Sequence, residues 1–421
     1  IFDNRIYMFQ NEYRQENENS SFIADFSYIK GYQSKKDGEK YSNRNSISHI
    51  FSKFDLDLGL KDFTNSKFNF FLEKVNNDNF LSIFENVLLV DKKFENDIKD
   101  KNNLSSGFKL SLDKEDYNFT TGLNIFENLQ SENNDRYQYN FPYYSFSKTL
   151  LSNEKGQINF SSSGSNSLSR TNNLRTTITN NINFNKSNII NKQGFVHNFG
   201  IYLRNLNGTG KNDTQYKSSI ESDFLNLNEI STTLPLIKDG KNFTNYFTPK
   251  VSFRINPSDM KDSSGSGRLI NVDNVFSINR LGLDDYESGK SITLGLDFKK
   301  EIKEEIDKFF EIKLATVLRD TKNNKIPTVS TINRRSSNLF GSLESSFSEN
   351  LSIYYNFSLD NDFNTFESNS IGIDFSINNF VTEFRFNERN GEIGNSNSVE
   401  NITKFNLNDE NSLIFKTRRN R

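Results

Sequence analysis

The chain has no cysteine and no tryptophan, and only 2 methionines, 2 histidines and 5 prolines among 421 residues. Without cysteine this stretch holds no disulfide and no thiolate metal site. The two histidines, His49 and His197, each fall in an alternating run and read as polar residues facing a lumen or a rim. The motifs of enzyme chemistry are missing as well: no HExxH, no GxSxG, no phosphate loop. Gly208-Thr209-Gly210-Lys211 is a loop glycine cluster, and the carboxylate pairs Asp284-Asp285 and Glu304-Glu305 read as wet loop residues. No enzyme activity, cofactor or metal is expected. Apolar residues make up only 33 %, mean hydropathy is −0.71, and no apolar run approaches the ~20 residues of a spanning helix. The net charge of −2 gives no global pull toward nucleic acid. A signal peptide is absent too, since the chain opens with the strand-like Ile1-Phe2-Asp3-Asn4-Arg5. It closes on Thr417-Arg418-Arg419-Asn420-Arg421, directly after an alternating run. Both ends look cut, and a longer protein is expected.

Against these absences stand 41 phenylalanines and 16 tyrosines. Polar chains that stay disordered are poor in aromatics. The combination suits strands with one apolar and one wet face. Period-two alternation indeed runs from end to end. In Lys53-Phe54-Asp55-Leu56-Asp57-Leu58-Gly59-Leu60 one face is apolar and the other charged. In Phe22-Ile23-Ala24-Asp25-Phe26-Ser27-Tyr28-Ile29, Ala24, Phe26 and Tyr28 share a face. The pattern recurs at Arg5–Arg14, Phe68–Val75, Phe80–Val90, Leu104–Leu112, Tyr117–Ile125, Tyr137–Leu150, Leu174–Phe184, Gly194–Leu203, Tyr216–Leu227 and Phe247–Ile255. It continues through Ile312–Leu318, Leu339–Phe347, Leu351–Leu359, Ile371–Ile377, Val381–Phe386, Val399–Leu407 and Leu413–Lys416.

About twenty-two strands of roughly ten residues follow, the length that crosses a bilayer at a tilt. Short connections such as Ser348-Glu349-Asn350 alternate loosely with long ones: Gln33–Asn45, Asn205–Thr214, Asn228–Asn245 and Arg319–Ser336. The charged run Lys299–Phe310 is read as a hairpin tip rather than a helix. Pro142, Pro249 and Pro257 fall at or near strand ends, where a ladder tolerates a missing N–H. Open sheets rarely exceed about ten strands. A soluble sandwich of this size would need a larger apolar core. In lipid every backbone group needs an internal partner, so the sheet must close. The expected fold is all-β: a large antiparallel transmembrane β-barrel occupying residues 1–421.

One stretch carries more than alternation. It runs Thr248-Pro249-Lys250-Val251-Ser252-Phe253-Arg254, a polar loop, Asn274-Val275-Phe276-Ser277-Ile278-Asn279-Arg280-Leu281-Gly282-Leu283-Asp284, then Glu287-Ser288-Gly289 and Thr293-Leu294-Gly295-Leu296. Tyr246–Phe298, read as three strands around these segments, resembles the barrel of the LptD (OstA) family of outer-membrane lipopolysaccharide assembly proteins. Asn11-Glu12-Tyr13-Arg14-Gln15 looks like the start of that barrel, and Asn378-Asn379-Phe380-Val381-Thr382-Glu383-Phe384 like a late hairpin. The resemblance covers nearly the whole chain, specifically at Tyr246–Phe298 and diffusely elsewhere.

That resemblance implies a closed barrel of about twenty-six strands, an even number as in other outer-membrane barrels. The last strands and a preceding periplasmic jelly-roll would lie outside this sequence. It implies a translocon in the cell outer membrane that inserts lipopolysaccharide into the outer leaflet through a lateral gate. An LptE-like lipoprotein would plug the lumen. An LptA-like periplasmic bridge would dock on the jelly-roll, and outer-membrane lipids would surround the wall. Pro249, Asn279, Arg280, Gly282, Asp284, Glu287 and Gly289 would be structural or lumenal. Arg5, Tyr7, Phe9, Tyr13 and Arg14 would belong to the first, gate-forming strand, although it lacks the proline that weakens pairing in the family. Family members also carry cysteines, and this chain has none. Two alternatives share the strand pattern: a porin, and a ligand-gated outer-membrane transporter. A secreted β-rich adhesin would show a fixed repeat, and none is found.

Overall fold

The structure is a computed structural model. It describes residues 7–30, 35–36, 39–40, 46–78, 80–83, 102–131, 135–265, 267–282, 286–407 and 411–420. Among them the fold is all-β. Twenty-one strands share one sheet, every described register is antiparallel, and a small hairpin pairs Lys35–Lys36 with Glu39–Lys40. Neighbours in sequence are neighbours in the sheet. Tyr7–Asn17 pairs with Ser20–Lys30, which pairs with Ser46–Asp57, and so on to Asn65–Val75 and Asn103–Lys114. Such a meander follows from short polar turns between alternating runs.

Contacts divide the chain into two compact units. The first comprises Ile1–Ser152, Gln157–Ile182 and Arg204–Asp223; the second comprises Asn153–Gly156, Asn183–Leu203 and Phe224–Arg421.

Both units show the same inversion of ordinary globular patterning. In the second, Ile292 and Leu294 are 39 % and 42 % exposed while Thr293 between them is fully covered. Val251 and Phe253 are exposed while Ser252 and Arg254 are buried. In the first, Phe26, Tyr28 and Ile50 are exposed while Asp25, Ser27 and His49 are buried. The pleat puts successive side chains on opposite faces. These strands therefore expose their apolar face and cover their polar one.

The covered face of the first unit still has an apolar centre. Ile29, Ile47, Phe51, Val75, Leu104 and Leu129 pack with Phe80 and Leu81. The last two belong to a four-residue helix, Phe80–Ile83, where alternation had suggested a strand over Phe80–Val90. Residues 84–90 lie outside the described residues. Apolar residues at 80, 81 and 83 fit a strand or a single helical turn, and periodicity cannot separate the two over so short a run.

Other expectations are corrected by the ladder. Strands are longer than ten residues in many places, up to the 18 residues of Asn173–Ile190. Val196–Lys211 runs through much of the supposed loop Asn205–Thr214, and Glu221–Thr233, Leu236–Asp239 and Phe243–Asn256 together take up most of Asn228–Asn245. Glycine and asparagine erase the side-chain alternation there, but backbone pairing needs no side chain. Tyr216 lies in the turn before Glu221–Thr233, outside any strand. Pro142 and Pro249 are inside strands, not near their ends. At Pro142 the register with Tyr117–Asn128 shifts between Gly122 and Asn124, a bulge that releases one ladder position. Pro249 faces the break between Glu221–Thr233 and Leu236–Asp239, where a ladder position is already lost. Lys299–Phe310 is a hairpin tip, with Gly289–Ile302 turning into Glu305–Arg319.

Candidate functional site

The stretch Tyr246–Phe298 holds two strands, not three. Phe243–Asn256 and Gly289–Ile302 pair directly, from Phe243 opposite Ile302 to Asn256 opposite Gly289. Between them, the described residues of 257–288 contain turns and no strand. Asn274–Gly282 is therefore not the strand its alternation suggested. Phe276 is carried to Gly295, where a Cβ would come within 2.6 Å of its ring. Ile270, Val275 and Leu281 pack against Ala315, Val317 and Phe340 of the sheet and against Ile326 and Ile332 of the next long connection. The apolar residues of 274–281 are thus spent on covering the sheet rather than on joining it. Burying each such side chain stabilises by about 1.5–3 kcal/mol.

Beneath this apolar cover lies a buried ionic cluster. Antiparallel register puts Arg254, Ser291 and Arg319 in one cross-strand row, with Ser252, Thr293 and Val317 in the next row on the same face. Arg280 descends onto that face from the connecting segment and is 1 % exposed. Its Nε donates to Glu287 Oε2 at 3.1 Å and its Nη2 to Glu287 Oε1. The remaining guanidinium hydrogens reach Val275 O at 3.0 Å, Thr293 Oγ1 at 2.8 Å and Ser291 Oγ at 3.1 Å. All five donors are used, the planar fork matching a carboxylate side-on. Arg254 donates to the carbonyls of Phe276 and Ser277 at 2.8 and 2.9 Å, and its Nε lies 3.4 Å from Glu229. Arg319 donates to the Ser288 carbonyl, and its Nη1 lies 3.4 Å from Glu287. Asn256 donates to the Glu287 carbonyl at 2.9 Å. Strand residues thus hold the segment by its backbone, and Glu287 is the shared anion.

The electrostatics follow from the count of charges. Burial pushes the Glu287 carboxyl up, but Arg280, Arg254 and Arg319 outweigh it and hold it at about 2. Arg280 feels the reverse balance: burial and two like charges overcome its one close carboxylate and lower it to about 10. Both groups stay charged at neutral pH. A buried pair of this kind contributes little net stability while intact, yet it specifies geometry, and removing one partner is costly. Here the apolar cover supplies cohesion and the ionic cluster fixes the position of the segment. A cavity of about 440 Å³ beside it is lined by Glu229, Lys250, Asp273, Phe276, Asp297 and Lys313 among others.

The candidate residues from the sequence fall as follows. Arg280 and Glu287 come together at the centre of the cluster. Gly289, at φ 91°, starts the second strand against Arg319, and Gly282, at φ 128°, ends the turn that carries Arg280. Asn279 is exposed and only its carbonyl takes part, accepting from Gly282 at 3.0 Å. Pro249 lies in the strand wall opposite Leu296. Asp284 lies outside the described residues, as does Arg5. Tyr7, Phe9, Tyr13 and Arg14 belong to Tyr7–Asn17 and are exposed. Phe9 packs on Phe26 with ring centroids 5.8 Å apart, and Arg14 pairs with Glu12. Arg254 and Arg319 were not singled out from the sequence. Their only signal is an arginine at a covered position of an alternating strand, and it becomes legible once the register is known.

His49 is buried on the covered face of its strand. Its Nδ1 is 2.7 Å from Ser27 Oγ, its Nε2 is 3.4 Å from Asp25, and the rings of Phe51 and Phe80 lie 4.9 Å away on either count. This serine–histidine–aspartate set is packed within the core. His197 Nδ1 meets Thr232 Oγ1 at 2.9 Å.

No protein-family profile and no curated protein matches the chain. Among solved structures it is similar to the alcaligin outer membrane receptor FauA from Bordetella pertussis, at 9 % identity over 99 % of this chain and 69 % of that one, with a TM-score of 0.37.

Proposed function

We propose that the chain forms the wall of a closed outer-membrane β-barrel and that this barrel delivers lipopolysaccharide to the outer leaflet. The observation that carries the membrane part is the inverted patterning. An exposed face of Val251, Phe253, Ile292 and Leu294 backs onto a covered face of Ser252, Arg254, Ser291 and Thr293. In water this arrangement wastes apolar burial. In a bilayer it is the required one, with an apolar band outward and a polar interior. The lipopolysaccharide cargo rests on the resemblance of Tyr246–Phe298 to the LptD family. The Arg280–Glu287 cluster supports it insofar as the motif residues perform a joint task. The cluster fastens segment 257–288 to the inner wall and so shapes the polar interior through which a sugar headgroup would pass. No covalent step is required.

Two measurements test this reading. Leu294→Lys should lose about 2–4 kcal/mol of folding stability in lipid vesicles if Leu294 faces mid-bilayer. A change within about 0.5 kcal/mol, as for a water-facing site, would remove the membrane assignment. For the cargo, cells depleted of the protein should retain new lipopolysaccharide on the inner side of the outer membrane. Normal surface delivery after depletion, with steady ion conductance through the purified protein, would favour a porin instead.

A further inference from the structure

The first unit contains a polar cavity of about 620 Å³ that shares no residue with the Arg280–Glu287 cluster. Side chains from four strands, Tyr117–Asn128, Tyr137–Asn153, Gly156–Ser169 and Asn173–Ile190, meet there with the turn that carries Asp213 and Tyr216. We propose that this cavity is a binding site for a neutral glycan.

The lining chemistry makes the case. Most of the wall consists of hydroxyls and amides, such as Ser165, Ser167 and Asn140, which both donate and accept and so match the hydroxyls of a sugar. Phe126 and Tyr216 add aromatic surface for the apolar face of a pyranose ring. Among the described lining residues the one cation is already neutralised. Arg175 Nε donates to Asp213 Oδ2 at 2.8 Å, and the guanidinium lies 5.9 Å from the centre of the Tyr216 ring. Asp213 is fixed on its other side by the backbone N–H groups of Gln215 and Tyr216 at 2.7 and 2.9 Å. Those bonds, the Arg175 bond foremost, hold its carboxyl at about 2 despite burial, so it stays anionic. A phosphate or a carboxylated sugar would meet this fixed anion with no spare cation to offset it. A neutral polyol meets no such penalty.

Two further observations fit a built site. Tyr216 is held in place by close packing on Gly208, where a Cβ would lie 2.2 Å from its ring. Asn140 Oδ1 is buried and has no hydrogen-bond partner. An unmatched buried acceptor is a standing cost that a ligand hydroxyl can remove. The volume lies within the usual range of small-molecule sites, about 300–1,000 Å³.

The inference stands on the lining of this cavity and does not depend on which cargo the barrel carries. It is tested with the full chain in detergent on an array of neutral oligosaccharides of varied linkage, together with phosphorylated and carboxylated glycans. The expected result is saturable retention of at least one neutral glycan. Asn140→Ala and Ser167→Ala should each weaken that binding about tenfold with the unfolding midpoint unchanged. Three results overturn the proposal: no neutral glycan retained by folded protein, anionic glycans preferred, or binding unaltered in the Asn140→Ala, Ser167→Ala double variant. Any of these leaves the cargo reading intact, because depletion tests that separately.

Discussion

Two covered faces in this molecule are clasped in opposite ways. In the first unit, Phe80 and Leu81 of a single helical turn press on Ile29, Ile47 and Phe51, and the polar trio Asp25, Ser27 and His49 is folded into that apolar packing. In the second, segment 257–288 lays an apolar cover over Ala315, Val317 and Phe340 but is registered by Arg280, Glu287, Arg254 and Arg319. The first clasp draws its strength from contact area, which is tolerant of small shifts. The second places charges where only one arrangement satisfies them. The contrast shows that a covered strand face can hold an added segment by apolar contact alone, as at Phe80 and Leu81, or can add buried charges that set its register, as at Arg280 and Glu287.

Breaking the second clasp should have the largest effect. Among the described residues, Glu287→Ala leaves three buried guanidiniums with Glu229 as the nearby carboxylate, a loss of about 3–5 kcal/mol. Thermal unfolding and protease cleavage within 267–282 would report it; an unchanged midpoint would mean that the cluster does not hold the segment. The same contrast can be drawn with acid. The Glu287 carboxyl is lowered in the folded state to about 2 from 4.5. Its contribution is therefore complete above about pH 4.5 and is lost as pH falls toward 2. Hydrogen exchange over 267–282 should rise across that window in the wild type and be already fast, with little further change, in Glu287→Ala.

Leu81→Ala attacks the apolar clasp and should cost about 2–5 kcal/mol through transfer and cavity terms. Unlike Glu287→Ala, its effect should not depend on pH in the acid range. A pH-dependent loss would show that the two clasps are not of different kinds. Gly295→Val should cost about 1–3 kcal/mol by pushing Phe276 off the wall, and Phe276→Ala in the same chain should relieve part of that strain. Smallest is Ser27→Ala, which leaves His49 Nδ1 without its 2.7 Å partner and should cost about 1–2 kcal/mol. A neutral result there would mean that the trio is packing alone.

How much of this was legible beforehand can be judged from particular residues. Alternation in Phe247–Ile255 and Ile312–Leu318 marked strands, and the ladder contains both. It also marked a strand from Asn274 onward, and over Asn274–Gly282 it failed. Val275, Phe276 and Leu281 obey the period well enough, but they cover a sheet whose neighbouring positions are already taken: Phe243–Asn256 pairs with Gly289–Ile302 along its whole length. Local pattern cannot report that a partner edge is occupied. The same blindness hid Arg254 and Arg319. Each is one charged residue in one strand, and they become a site only when register sets them on either side of Ser291. Arg280 and Glu287 were candidates through the resemblance of their segment to the LptD family, whereas the bidentate bond between them and its burial depend on tertiary structure.

Period-two alternation and polar turns act over a few residues, and they suffice for the all-β class, the meander of antiparallel strands and the division of each strand into an apolar and a polar face. Long-range pairing decides that Ile270, Val275 and Leu281 cover the sheet instead of joining it, that Phe80–Ile83 is a helical turn, and that three arginines converge on Glu287. Those outcomes depend on which backbone edges are already paired and which buried charges remain to be balanced. Both are properties of residues far apart in the chain, set only when the whole sheet is in register.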